Sequence, residues 1–358
     1  MSATVDPDFW SGRRVLVTGH TGFKGAWLSL WLESLGASVT GFSDTVPTTP
    51  SLFELAHIGR NMSDHRGDIR DAATVDALIT EVLPEVVIHM AAQPMVRRSF
   101  SDPRETYAIN VMGTVNVLEA VRTHGADTVR AVINVTSDKC YDNREQNRPF
   151  VEDDPMGGHD PYSNSKGCAE LVADAFRRSF FSPEDHSGPR LASARAGNVI
   201  GGGDWGEDRL VPDIMRAAEA GTPIPIRNPT AIRPWQHVLN PLSGYLVLAQ
   251  VLYEQPETAT GWNFGSGHDD VKPVSWIADR LTELWPEPLT WEVDPGPHPH
   301  EAHFLSLDST RAADRLNWHP RWQLDKTLES IVAWHQAHLA GEDMRSVTLG
   351  QIKEFTAS

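Results

Sequence analysis

The chain has 358 residues, a formal net charge of −17 at pH 7 and a hydrophobic fraction of 40%. Such acidity excludes a general nucleic-acid or anionic-membrane surface, so any anionic ligand must meet local positive groups; the length predicts two lobes or one large α/β domain with an appended part. Cys140 and Cys168 follow no disulfide or metal spacing, and Met1 to Asp8 carry neither a basic n-region nor an apolar h-region, which gives the expectation of a reducing, cytoplasmic protein without a membrane partner.

Arg14 to Thr18 is a short apolar run ending in glycine, Ala26 to Leu35 is amphipathic, and Ser38 to Phe42 is apolar again, the pattern of a βαβ unit. Thr74 to Leu83, Glu105 to His124 and Tyr162 to Phe181 read as helices; Val86 to Met90 and Ala131 to Val135 read as buried strands. The alternation predicts an α/β fold with a Rossmann-type doubly wound parallel sheet. After about residue 190 Gly-rich and Pro-rich loops take over, as at Gly201 to Gly206 and Pro223 to Pro225, which predicts a smaller C-terminal α/β substrate-binding lobe. Leu239 to Tyr253 is read as a helix returning to the first domain and Leu324 to Leu339 as a closing helix. The expected division is therefore 1–190 with 229–265 for the dinucleotide domain, 191–228 with 266–340 for the second lobe, and 341–358 as a tail.

Between the first strand and the first helix stands Thr18-Gly19-His20-Thr21-Gly22-Phe23-Lys24-Gly25. Glycines there let the backbone turn tightly and approach a pyrophosphate at the helix N-terminus, and Lys24 and His20 are expected to add positive charge near the phosphates. Asp44 follows the second strand, where an acid binds an adenosine ribose. Tyr162 and Lys166 lie one helical turn apart on one face, so the ammonium is expected to lower the phenol pKa and make Tyr162 a base near neutral pH. Thr136-Ser137-Asp138-Lys139 closes the strand 131–135 and adds a hydroxyl, an acid and a second base, which points to more than one proton transfer. Taken alone, Asp138 and Lys139 also read as a loop ion pair, and Arg209 and Arg233 as ordinary surface arginines.

With Gly19, Gly22 and Gly25 three apart twice, the sequence resembles the extended short-chain dehydrogenases/reductases. That resemblance implies NAD as cofactor, with Thr21, Phe23, Lys24 and the three glycines at the pyrophosphate and Asp44, Asp68 and Ile69 at the adenosine. It places Ala91, Ala92 and Gln93 beside the nicotinamide ribose, Asn110 as a structural asparagine, and Thr136, Tyr162 and Lys166 around the reactive end.

Ser137-Asp138-Lys139 narrows the resemblance. A sugar epimerase takes and returns hydride at one carbon and has no use for an acid and a second base directly after the serine. Nucleotide-sugar 4,6-dehydratases need both, because a C4 ketone acidifies the C5 proton and the C6 hydroxyl must leave protonated. The dTDP-glucose enzymes carry threonine, aspartate and glutamate here; lysine in the third place is similar to the CDP-glucose 4,6-dehydratases. Thr18 to Gly25, Val135 to Asn143, Asp160 to Leu171 and Arg195 to Asp213 all resemble that family, and the likeness covers nearly the whole chain. It implies CDP-glucose as substrate, Ser137 on the C4 oxygen, Asp138 as the acid for the C6 oxygen and Lys139 as the base at C5. Gln93, Asn198, Arg209, Leu210, Val211, Arg233 and His237 are implied on the substrate side, with His300 in a Pro-rich loop that closes over the nucleotide and binds no metal. An arginine fork suits a diphosphate because it donates two hydrogen bonds. Asn240 departs from the family, which commonly has an acid there. A 4-epimerase, or a dehydratase of another nucleotide sugar, is the nearest alternative; a cofactor-sensing binding protein has no need for Ser137, Tyr162 and Lys166 together. The family also implies a homodimer or homotetramer, built through the helices at 105–124 and 162–181.

Overall fold

The strands β1 (Arg14–Thr18), β2 (Ser38–Ser43), β3 (Ser63–Arg66), β4 (Val86–His89), β5 (Ala131–Val135) and β6 (Arg190–Arg195) join Gly261–Asn263 in one sheet. The computed structural model describes residues 4–144, 148–181, 188–296 and 305–358. Every pairing in this sheet is parallel, and the order is Gly261–Asn263, β6, β5, β4, β1, β2, β3. The sheet is covered on both faces, which is why its strands read as unbroken apolar runs rather than as alternating ones. Val15 and Val17 enter a core with Trp27, Trp31, Leu242 and Leu246, while Leu16 enters the opposite core with Leu78, Ile79, Leu118 and Val121.

The strand order reverses at β1, which pairs with β2 on one side and β4 on the other. Such a switch point opens a crevice at the carboxyl ends of the strands. The turn after β1 and the segment after β4 close on each other there: a Cβ added to Gly19, whose φ is +78°, would stand 2.8 Å from the Ala91 backbone nitrogen.

The stretch 105–124, expected as one helix, is three pieces: Pro103–Tyr107, a π-helical turn Ala108–Met112, and Gly113–His124. Asp102 caps the start, accepting from the Glu105 amide at 2.9 Å. The widened turn carries Asn110, a common use of π-bulges near functional residues. Helix Pro161–Ser179 likewise begins at an aspartate cap, with the Ser163 amide donating to Asp160 at 2.9 Å and Pro161 in the first position.

Beyond β6, short two-stranded ladders and the helices Leu210–Ala220 and Val274–Leu284 surround a second core of Val211, Ile214, Ile224, Trp235, Ile277 and Leu281. Helix Leu239–Glu254 returns to the main sheet, where Gly244 lets the Phe264 ring approach so closely that a Cβ would meet it at 2.3 Å. Helix Leu324–Leu339 serves both cores, giving Leu328 and Ile331 to the second and Trp334 to the first. Residues 341–358 carry the helix Met344–Ala357, held by an ion pair of Arg345 with Glu33 and by Phe355, which packs edge-on against Trp31 and Trp322 at 5.7 and 5.5 Å. Among the described residues no helix is long and apolar enough to cross a membrane. Phe355→Ala removes a fully buried ring and is expected to cost about 3–5 kcal/mol of stability, measurable by urea unfolding; a loss under about 1 kcal/mol would show that the last helix is only lightly attached.

Candidate active site

The cradle after β1 is built for a backbone-lined approach. A Cβ on Gly25 would lie 2.1 Å from the Gly19 carbonyl oxygen, and Gly22 starts the helix Phe23–Ser34 without a side-chain cap, so its first amides remain available to an anion. Asp44 follows β2 directly and is exposed. Asp68 is forked by Arg70, 2.5 Å from Nη2 to Oδ2, and Ile69 is buried against Gly113. Thr21 donates to the Thr45 carbonyl at 2.7 Å and so ties the glycine turn to the segment after β2. These residues fit the pyrophosphate and adenosine of a dinucleotide.

The two cations expected at the phosphates behave otherwise. His20 is buried under Gly41, with Nε2 2.9 Å from Asp64 and Nδ1 3.0 Å from the Ser43 hydroxyl; burial lowers its pKa, so it brings no full charge to the turn at neutral pH. Lys24 points inward, its ammonium 5.9 Å from the centre of the Tyr245 ring, within the fields of Arg209 and Asp138 and lowered by burial to about 8.

The segment after β4 is pinned from the π-helical turn. Asn110 accepts from the Gln93 amide at 2.8 Å, donates to the Gln93 carbonyl at 3.1 Å, and donates to Ser165 at 2.9 Å. One side chain thus fixes Ala91, Ala92 and Gln93 relative to the helix that bears Tyr162 and Lys166. The Gln93 side chain is spent locally, donating to Thr106 and accepting from the Met95 amide.

At the end of β5 the Ser137 hydroxyl donates to Asp138 at 2.9 Å, and the Lys139 amide donates back to Ser137 at 3.2 Å. Asp138 is 2% exposed; burial raises its pKa against the pull of Lys139, Ser137 and Arg233, and its second oxygen has no partner. Burial thus shifts this carboxyl toward the protonated form relative to one in water. Lys139 is only partly buried. Tyr162 is pushed up to about 12, burial outweighing a hydrogen bond with Ser137 and the charge of Arg209. Lys166 is not among the principal influences on that phenol; its own ammonium reaches the Val135 carbonyl at 3.5 Å and is lowered to about 8 by burial and by Lys24, against the opposing charge of Glu170. Burial therefore overrides the expected lowering of Tyr162 by Lys166, whose ammonium turns toward the strand end.

Two residues that sequence reasoning passed over shape this cluster. Gly197 leaves room for the acid: a Cβ there would fall 1.7 Å from the Asp138 carboxyl and force it to move. The Gly197 carbonyl accepts from Gln236 at 3.3 Å and Asn198 follows in the left-handed region at φ +47°, so the backbone is held where the carboxyl needs room. Glu170, one turn beyond Lys166, takes a hydrogen bond from Thr136 and pairs with Arg195 at 2.8 Å, both side chains nearly fully buried. Arg195 also donates to the Tyr141 hydroxyl at 2.7 Å and the Glu152 carbonyl at 2.9 Å. The one-turn spacing from Lys166 to Glu170 was visible in the sequence; its partner on β6 was not.

On the substrate side the positions diverge. Arg209, at the start of helix Leu210–Ala220, grips both oxygens of Asp204 at 2.9 and 3.0 Å, with Leu210 half-buried beside it and Val211 in the second core. Arg233 is buried close enough to Asp138 to act on its charge. His237 does not face the cleft: its ring is 0% exposed, wedged against Trp27 and Trp322, and its Nδ1 accepts from the Leu239 amide. His300 lies outside the described residues. Asn240, where the family commonly has an acid, accepts from the Arg321 and Trp322 amides and donates to the Trp322 carbonyl at 2.9 Å, a donation no carboxylate makes. Among the described residues no group of three or more His, Cys, Asp or Glu side chains is placed to hold a metal ion.

A family model described as GDP-mannose 4,6 dehydratase matches residues 16–331. The CDP-glucose 4,6-dehydratase of Salmonella typhimurium is 55% identical over 357 residues, 99% of either chain. The chain belongs to the nucleotide-sugar 4,6-dehydratase family. A dTDP-glucose 4,6-dehydratase of Xanthomonas campestris is 27% identical over 341 residues, 89% of this chain and 92% of its own. Among solved structures, the dTDP-glucose 4,6-dehydratase of Streptomyces venezuelae, crystallised with NAD, superposes with a TM-score of 0.77 at 21% identity, over 93% of this chain and 99% of that one. The UDP-glucose 4-epimerase of Thermotoga maritima gives 0.78 at 21% identity, over 91% and 99%. At such identity these structures speak for the fold, which dehydratases and epimerases share.

His89 and His237 are both lowered to about 3 by burial. At His89, Thr18 faces Nδ1 at 2.7 Å and Thr114 faces Nε2 at 3.2 Å, a pairing that suits the neutral ring. In the unfolded chain both rings bind protons below about pH 6.5, whereas in the folded protein they stay neutral down to about 3. Stability is therefore expected to fall as the pH drops below about 6.5, by about 1.4 kcal/mol per pH unit for each ring. Urea titrations across that range on the native protein and His89→Asn check this: the variant is expected to lose less per pH unit, and equal slopes would exclude a contribution from His89.

Proposed function

We propose that the protein is an NAD-dependent CDP-glucose 4,6-dehydratase, converting CDP-glucose to CDP-4-keto-6-deoxyglucose and water. The observation that carries the reaction is Asp138: a buried carboxyl whose pKa burial raises, hydrogen-bonded by the Ser137 hydroxyl that also acts on Tyr162 and followed directly by Lys139. An enzyme that only oxidises and re-reduces C4 has no use for such an acid. The relative at 55% identity, with its printed activity on CDP-glucose, supports the choice of nucleotide.

Gly19, Gly22 and Gly25, the free amides of helix Phe23–Ser34, Asp44 and Lys166 would hold the dinucleotide. When bound, NAD would supply the oxidant at C4 and the reductant at C6. Tyr162 takes the C4 hydroxyl proton while Ser137 holds that oxygen. Lys139 removes the C5 proton, now acidified by the adjacent ketone, and later returns it to C5. Asp138 gives its proton to the departing C6 hydroxyl, which leaves as water. Arg233 and Arg209 face the negative charge of the diphosphate, Arg209 once drawn away from Asp204.

The exterior of the stretch 103–112 and of helix Pro161–Ser179 supports a homodimer. Met112 and Leu171 are 51% and 60% exposed, unusual for large apolar side chains, and Pro103, Tyr107, Val111, Met112 and Cys168 line a groove. Leu171→Glu is expected to convert a dimer to a monomer in analytical ultracentrifugation; an unchanged mass would place the interface elsewhere.

The first test incubates the protein with NAD and CDP-, dTDP-, UDP- or GDP-glucose and follows the product by NMR and mass spectrometry. Product from CDP-glucose is expected; product from another sugar alone would move the specificity, and a C4 epimer or no turnover would remove the dehydratase reading. Lys139→Met should lower dehydration by roughly 100-fold or more while C4 oxidation, read as reduced cofactor, persists. Full dehydration by that variant would take the C5 base away from Lys139.

A further inference from the structure

The groups at the sugar and the diphosphate are blind to the base, so the choice of cytosine over uracil has to be made elsewhere in the cleft. Three pieces of chain meet just beyond Arg209. Asp208 precedes Arg209, the N-cap of helix Leu210–Ala220, and lies in the left-handed region at φ +58°. Helix Val96–Ser101 supplies Arg97, whose Nη1 is 3.2 Å from Asp208 Oδ1, and Ser99, whose hydroxyl accepts from the Tyr162 amide at 3.1 Å. One short helix thus ties Asp208 to the reactive end. Strand Ile224–Ile226 is followed by Arg227, which donates from Nη1 to Asp208 Oδ1 at 3.2 Å and from Nη2 to Asp213 Oδ2 at 3.2 Å.

Charges alternate through this junction, in the order Arg97, Asp208, Arg227, Asp213, Arg216. Asp213 is anchored from behind by Arg216, which also donates to the Trp205 carbonyl at 3.1 Å, so the plane of the Arg227 fork is fixed at one end. Asp208 and Arg227 each have opposite charge on both sides. Together they present hydrogen-bonding groups without net charge, which suits a neutral ring better than a phosphate. A carboxylate has about four lone-pair sites and a guanidinium five N–H groups, and these partners take two of each. Both side chains are open to solvent, Asp208 38% and Arg227 24% exposed, so the pairs add little to stability.

We propose that Asp208 and Arg227 read the hydrogen-bonding edge of the substrate's base and select cytosine. Along that edge cytosine offers an amino donor at N4 and acceptors at N3 and O2. Asp208 accepts from the amino group, and Arg227 donates to N3 and O2. Uracil and thymine carry O4 and an N3–H in the first two places, so oxygen would face carboxylate and N–H would face guanidinium. Guanine, with one acceptor followed by two donors, opposes the pair throughout. The order of groups in the cleft also matches the order within a nucleotide sugar: the hexose at Tyr162, the diphosphate at Arg209, and the base one residue further on at Asp208.

The proposal rests on the dehydratase reading for its class of substrate, and binding measured apart from turnover separates the two. Native protein is titrated calorimetrically, in the presence of NAD, with CDP and with UDP, which differ only along this edge of the base. CDP is expected to bind tighter by roughly 10- to 100-fold. Asp208→Asn, whose amide turns either its N–H or its oxygen to the base, and Arg227→Gln, which loses the fork, are each expected to cut that ratio about tenfold. The ratio is taken within one sample, so a partly unfolded variant loses sites for both nucleotides alike and does not mimic the effect. Native protein that binds CDP and UDP equally, or a native ratio kept by both variants, would overturn the reader and leave the reaction standing. A ratio lost in the variants, in a protein that forms no 4-keto-6-deoxy product from any nucleotide sugar, would keep the reader and remove the reaction.

Discussion

The buried ion pair of Glu170 and Arg195 is the joint on which the rest of the site turns. Placing two charges away from water is costly, and the cost is offset in proportion as the remaining donors and acceptors find partners, which all but Arg195 Nε do here. Here the carboxylate takes Thr136 as well as the guanidinium, and the guanidinium takes the Tyr141 hydroxyl and the Glu152 carbonyl. Tyr141 in turn donates to Asn263 on the outermost strand, and Asn263 donates to the carbonyls of Phe150 and Asp308. A single connected set of bonds therefore runs from the turn that bears Lys166, across the ends of β5 and β6, to the loops at residues 150 and 308.

That rigidity matters because the chemistry asks opposite things of groups packed side by side. Burial alone pushes a carboxyl up and an ammonium down, and the structure uses it on Asp138, Lys24 and Lys166 together. Lys24 lowers Lys166 further, so a full charge on both ammonium groups costs more than a charge on either alone. The negative partners that moderate this, Glu170 behind Lys166 and Asp138 before Lys24, are fixed by contacts a few ångströms further out. Small displacements of β5 against β6 would unbalance all of them.

Much of this was legible in the chain because it is local. Gly19, Gly22 and Gly25 stand within one turn, Tyr162 and Lys166 within one helical repeat, and Ser137, Asp138 and Lys139 in succession, so their proximity needs no knowledge of the fold. Strand runs and their parallel arrangement followed from burial on both faces. What could not be read depends on partners far off in sequence: His20 is buried beneath Gly41 and paired with Asp64 on β3, His237 is sealed by Trp27 and Trp322, and Gly197, just past β6, matters only because Asp138, just past β5, occupies the space beside it. The break of the helix at 105–124 was equally hidden, since Ala108 to Met112 has ordinary helix-forming residues and widens only to let Asn110 reach Gln93 and Ser165.

Helix Leu324–Leu339 belongs to two cores at once, contributing Leu328 and Ile331 to the lobe beyond β6 and Trp334 to the layer beneath the sheet. The two cores are therefore joined by a helix that serves both. The lobe that would discriminate between nucleotides cannot be exchanged as a cassette, because removing it strips aromatic cover from the cofactor-side sheet. Divergence of specificity in this architecture is confined to substitutions within a shared frame.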